Sequence, residues 1–177
     1  MGVGEGGPEL VKQLLKDTYD IKAPEVVLVH LTGKPRKGIG PHDVAIALVG
    51  ATFANGFVKN KVLEFVGEGV KNLAIDFRNG IDVMTTETTC LSSIWETDEK
   101  TKEFYALHGI EGAYKELKAK DGAYYDKGIV INLSKVEPMI ALPFHPSNAY
   151  TIKDFLSRPY ELLKEAEEAG QKLLPEG

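Results

Sequence analysis

Lys61-Val62-Leu63-Glu64-Phe65-Val66-Gly67-Glu68-Gly69-Val70 runs from an apolar, partly β-branched stretch straight into a Gly-Glu-Gly turn. That composition reads as a strand, Lys61 to Val66, closed by a glycine turn. From Val70 to Met84 the positions Leu73, Ile75, Phe77, Ile81 and Met84 form the inner side of a helix, which Gly80 weakens. Leu91 to Trp95 is extended again. Strand, turn, helix and strand in succession set the class as α/β. Between the helix and the second strand lies Met84-Thr85-Thr86-Glu87-Thr88-Thr89-Cys90. It places a single carboxylate, Glu87, among small hydroxylated residues.

The alternation continues on both sides. Pro8 suits the first position of a helix whose Leu10, Val11, Leu14 and Leu15 share one face. Glu25 to Leu31 is a buried strand built on Val26-Val27-Leu28-Val29. After the polar loop Thr32 to Gly40, Pro41 and Asp43 open an apolar helix running from Val44 to Phe53. Thr97-Asp98-Glu99-Lys100 caps a further helix through Phe104, Tyr105 and Leu107. A short helix is expected around Ala113 to Leu117, and strands at Ile129 to Leu133 and Met139 to Leu142. The fold expected is a three-layer α/β/α sandwich with a mixed sheet, spanning residues 1–150. Composition shifts to Glu, Lys, Ala and Leu beyond Ser147 to Ile152, so 151–177 reads as a terminal helix or interdomain connector.

At 177 residues the chain is long enough for one domain with a real core. Its net charge of -5 argues against binding a phosphate backbone, so no nucleic-acid partner is expected. No apolar run is long enough to span a bilayer, and the N-terminus lacks the basic start and apolar stretch of a signal peptide. No membrane partner is expected. Cys90 is the only cysteine, so no internal disulfide forms. A reducing, cytoplasmic location follows as the default. One thiol also cannot build a Cys-rich zinc or iron–sulfur site within this chain.

Several residues have both a chemical and a plain structural reading. Glu87 is the catalytic candidate if Thr85, Thr86, Thr88 and Thr89 orient its carboxylate by hydroxyl hydrogen bonds; otherwise it is a capping or surface glutamate. Cys90 is a nucleophile or a small buried side chain. His30, His42, His108 and His145 show no metal-ligand spacing. His145, in Pro143-Phe144-His145-Pro146, either presents a side chain to a ligand or shapes the exit from a strand. The Lys34, Arg36, Lys37 loop either meets an anionic substrate or is simply solvated. Gly2-Val3-Gly4-Glu5-Gly6-Gly7 matches G-x-G-x-x-G but has no strand before it, so it reads as a glycine-rich turn. Asp76 and Arg78, two apart, do not face each other on a helix and bond to different neighbours.

Taken in order, the Gly2-to-Gly7 turn, Val29-His30-Leu31-Thr32-Gly33-Lys34, Pro41-His42-Asp43-Val44, Val62 to Gly69, Met84-Thr85-Thr86-Glu87 and Ile131-Asn132-Leu133-Ser134 through Pro146 resemble one part of the aconitase family of iron–sulfur hydro-lyases. The resemblance reaches to about Asp154 and is to the second of the three α/β domains that surround a [4Fe–4S] cluster. It implies stereospecific dehydration and rehydration of a small hydroxy-polycarboxylate, as in the citrate-to-isocitrate step of the tricarboxylic acid cycle. It also implies that Glu87 is the family's active-site glutamate in this region. There it would bond to, or exchange a proton with, the iron-bound hydroxide or water.

Two departures qualify this. Val83-Met84 stands where many relatives carry Asn-Met, which leaves the substrate open. The chain also shows no cluster-ligating cysteine motif, no Asp-Ser-His-Thr segment and no arginine-rich substrate segment. The expectation is therefore a domain that contributes Glu87 and a wall of the active site, binds no cluster itself and does not turn over substrate alone. Its partners would be the other domains of the same enzyme, and exposed apolar surface would favour self-association. A homoaconitase, an isopropylmalate dehydratase or a standalone binding module of the same fold are the alternatives.

Overall fold

A computed structural model describes residues 6–174. Four parallel strands form the central sheet: β1 (Val26–Thr32), β2 (Val62–Val66), β3 (Ser92–Trp95) and β4 (Lys127–Asn132), in the order β3-β2-β1-β4. Six helices accompany it among the described residues: α1 (Gly7–Lys16), α2 (Pro41–Thr52), α3 (Ile75–Asp82), α4 (Glu99–Leu107), α5 (Ile152–Ser157) and α6 (Pro159–Gln171). Among the described residues antiparallel pairing is confined to a separate ribbon, β5 (Met139–Ala141) with β6 (Ala149–Thr151). The chain is thus α/β, with its central sheet all parallel and the antiparallel part set apart. No helix among the described residues is long and apolar enough to cross a membrane.

Alternation along β1 and β2 decides where the core sits. Val27, Val29, Leu31, Leu63 and Phe65 are fully buried on one face. Val44 and Leu48 of α2 and Ile81 of α3 pack onto them. Burying each such side chain contributes roughly 1.5–3 kcal/mol. Phe65 also stacks flat on Trp95 of the neighbouring strand, with ring centroids 4.1 Å apart.

Three elements differ from expectation. The helix anticipated over Val70 to Met84 splits into a 3-10 turn, Val70–Asn72, and α3. Leu73 and Ala74 between them are extended, which sinks the Leu73 side chain and turns its carbonyl toward the Arg78 guanidinium, 3.2 Å away. The helix expected at Ala113 to Leu117 is only a 3-10 turn, Glu111–Ala113. Leu117 instead exchanges hydrogen bonds with Thr97. The C-terminal amphipathic stretch is two helices, because Pro159 cannot continue α5 and starts α6. Leu162 of α6 is buried, and β6 crosses the composition shift around residue 150. Of the glycine-rich N-terminal motif, residues 2–5 lie outside the described residues.

Gly80 does not break α3; it lets α3 approach α2. A Cβ there would lie 2.6 Å from Cγ of Pro41, a rigid ring at the start of α2. Gly80→Ala should therefore lower stability by about 1–2 kcal/mol, the overpacking cost exceeding the gain in helix propensity. Urea unfolding measures this. Gly112→Ala, where nothing lies within 4 Å, is the control and should leave the midpoint unchanged.

Candidate functional site

Glu87 sits on a 3-10 turn, Thr85–Thr88, between the end of α3 and the start of β3. The threonines build this turn, and they do not orient the glutamate as the sequence led us to expect. Thr85 Oγ1 donates to the Asp82 carbonyl at 2.8 Å and lies 3.0 Å from Ser93 Oγ. Thr88 Oγ1 donates to the Thr85 carbonyl at 2.6 Å. Asp82 Oδ1 accepts from Ser93 Oγ and Trp95 Nε1, tying α3 to β3. Thr89 leaves the turn in the left-handed region, φ 64°, and its carbonyl accepts from Asn60 N–H. Buried hydroxyls on Thr85 and Thr88 are thereby satisfied inside the turn, and the Glu87 side chain projects outward, 44% exposed.

The side chain that Glu87 does meet is His145. Nε2 of His145 lies 3.7 Å from Oε2 of Glu87. His145 occupies the loop between β5 and β6, and its ring stacks on Phe53, the residue that caps the C-terminus of α2, at 4.0 Å. The loop is closed by Asn148 N–H donating to the His145 carbonyl and by Asn148 Nδ2 donating to the Pro143 carbonyl. Glu87, His145 and Phe53 are thus brought to the edge of the sheet where the strands begin.

The other sequence candidates are elsewhere. Lys34, Arg36 and Lys37 follow β1, at the opposite edge of the sheet, where ligands of open α/β sheets usually bind. There the crevice between β1 and β4 is filled: Ser134 Oγ accepts from Lys34 N–H and donates to the Lys34 carbonyl, and Arg36 donates to the Val136 carbonyl at 2.8 Å. Cys90 is half-buried and its thiol donates to the Thr85 carbonyl at 3.2 Å. Burial pushes that thiol up, only partly offset by hydrogen bonds from Thr88 and Thr85, so it is a poor nucleophile. His108 Nδ1 is 2.8 Å from the Phe104 carbonyl of its own helix, and His30 lies against Gly67. Arg78 pairs with Asp98 rather than Asp76. Among the described residues no three His, Cys, Asp or Glu side chains converge to hold a metal ion.

Phe53 escaped sequence reasoning because it ends an apolar helix and looks like any core residue. His145 was visible only as a histidine in a Pro-flanked turn, with nothing to link it to Glu87.

The chain resembles known proteins over most of its length. The family model described as "Aconitase family (aconitate hydratase)" matches residues 1–174. The 3-isopropylmalate dehydratase large subunit of Lachnoclostridium phytofermentans is 32% identical over 151 residues, covering 85% of this chain and 35% of that protein. The 3-isopropylmalate dehydratase large subunit 2 of Archaeoglobus fulgidus is 34% identical, covering 85% of this chain and 36% of that protein. The mitochondrial aconitate hydratase of Gracilaria gracilis is 31% identical over 160 residues, covering 86% of this chain and 20% of that protein. The chain therefore spans about a third of the length of the dehydratase subunits it matches.

Proposed function

The chain belongs to the aconitase family, and from that premise we propose that it is one domain of a hydro-lyase acting on a small hydroxy-polycarboxylate, with Glu87 as a proton-exchanging side chain at the reacting hydroxyl. The observation that carries this is the presentation of Glu87. A folded turn with its buried hydroxyls satisfied holds the carboxylate out from the surface, beside a histidine. A carboxylate so placed accepts a proton from, or returns one to, a substrate oxygen brought against it by a neighbouring domain.

Isopropylmalate-type and citrate-type substrates are both hydroxy-acids carrying further carboxylates. Relatives named for 3-isopropylmalate dehydration support the first at least as well as the aconitate hydratase supports the second. The cluster implied by the family takes thiolate ligands. The donors of this chain do not fit it, since Cys90 alone is present and its thiol is engaged with the Thr85 carbonyl.

Other domains are the partners proposed. Leu10, Val11, Leu14 and Leu15 of α1 are all more than half exposed, on a helix with no buried residue. An apolar groove of about 560 Å³ is lined by Leu48, Ala51, Ile129, Val130, Val136 and Met139. Apolar surface of this extent is what neighbouring domains cover.

The test is an assay of the full-length protein that contains this chain, prepared anaerobically with iron, against citrate, isocitrate and 3-isopropylmalate. Turnover of either substrate type is the expected result, and its identity decides between them. A fully loaded protein that turns over none of the three would overturn the reading.

A further inference from the structure

We infer that His145 is a positioning residue for Glu87: its ring is set to present an Nε2–H to the glutamate carboxylate. This rests on the reading of Glu87 as the proton-exchanging group.

The ring is fixed from two sides. Its face stacks on Phe53 at 4.0 Å, and Phe53 is itself held by a hydrogen bond from its N–H to the Val49 carbonyl at the end of α2. Its Nδ1 lies 3.1 Å from the backbone N–H of Ser147, and 3.0 Å from the Ser147 hydroxyl. A backbone N–H can only donate, so Nδ1 must accept. The proton of the neutral ring is then on Nε2, the nitrogen 3.7 Å from Glu87 Oε2. The same nitrogen carries a proton in the charged ring, so the donor faces the carboxylate in both states.

The rest of the loop keeps this arrangement. Asn148 accepts and donates across it, pairing with Leu142, Pro143 and His145, and Phe144 packs against Gly170 of α6. A separation of 3.7 Å is longer than a hydrogen bond. Catalytic hydrogen bonds commonly shorten when substrate is present, and a small rotation of the exposed Glu87 side chain closes this one. The bond would hold one carboxylate oxygen and leave the other to face the reacting oxygen.

Two measurements test this. In the 177-residue chain, the ring nitrogen shifts of His145 should report the Nε2–H tautomer when the ring is neutral; an Nδ1–H tautomer overturns the proposal. In the full-length enzyme, His145→Phe keeps the stack on Phe53 and removes the donor. It should lower kcat by roughly tenfold with KM within about twofold, and His145→Gln, which restores an N–H, should recover most of that loss. Combined with Glu87→Gln, His145→Phe should add no further loss. Wild-type kcat in His145→Phe, or losses that multiply in the double variant, would overturn the positioning role while leaving Glu87 in place. Wild-type kcat in Glu87→Gln would remove the reading of Glu87 itself, and this inference with it.

Discussion

Replacing Arg78 with Ala should destabilise the domain by about 3 kcal/mol, the lower end of the loss for one partner of a buried ion pair, because Arg78 is buried and Asp98 only partly so. Arg78 is 3% exposed, and its guanidinium meets the Asp98 carboxylate at 2.5 Å, the Leu73 carbonyl at 3.2 Å and Thr101 Oγ1 at 3.4 Å. Asp98 is the N-cap of α4, accepting from Thr101 N–H, so the pair ties α3 to the start of α4. Truncation leaves the carboxylate and the Leu73 carbonyl without the cation between them. Arg78→Met with Asp98→Asn, which removes both charges and retains the volume, should cost less than the sum of the single changes.

The same pair sets an acid limit. Burial alone would raise the Asp98 pKa, but the Arg78 guanidinium and the Thr101 hydrogen bonds outweigh it and hold the carboxyl below its ordinary value. A carboxyl depressed in the folded state stabilises that state above its unfolded pKa of ~3.9. That contribution fades as pH falls from there through the lower folded pKa. Stability measured by urea unfolding across the acid range should show this loss in the wild type, and a smaller one in Arg78→Ala.

Much of the layered fold was legible because its signals are local. The β-branched run of β1, the Gly-Glu-Gly turn after β2, the Pro41 start of α2 and the Asp98 cap of α4 each act within a few residues. Elements set by distant contacts were not. The break at Leu73–Ala74 serves Arg78 and its partner Asp98, and β6 is three residues held by pairing with β5. The site divides in the same way. Glu87 drew attention through its surroundings and a family resemblance. The threonines around it invited the wrong hydrogen bonds, because periodicity cannot say whether a hydroxyl meets a neighbouring carboxylate or the backbone of its own turn. His145 reaches Glu87 only through the packing of α2 against the β5–β6 ribbon, where a Cβ on Gly50 would come within 2.9 Å of Ala149 Cβ.

Glu87→Gln should lower kcat of the full-length enzyme by about 10²–10⁴-fold, the range for removing a group that moves a proton in the transition state. The change keeps the shape of the side chain and one acceptor oxygen, but removes the basic site. Its effect on folding should be small. Glu87 is 44% exposed and His145 is 37% exposed, and a pair so open to water contributes at most about 1 kcal/mol. The buried hydroxyls of Thr85 and Thr88 bond to backbone carbonyls, and that of Thr85 also meets Ser93 Oγ, so none loses a partner. Loss of turnover without loss of stability is the signature that separates chemistry from structure at this position.

The most direct measurement is therefore kcat of Glu87→Gln in the full-length protein, taken beside the urea midpoint of the same variant. If Glu87 moves a proton in turnover, kcat falls at least ~100-fold while the midpoint shifts by no more than ~1 kcal/mol equivalent. Turnover within twofold of wild type, at an unchanged midpoint, would contradict it.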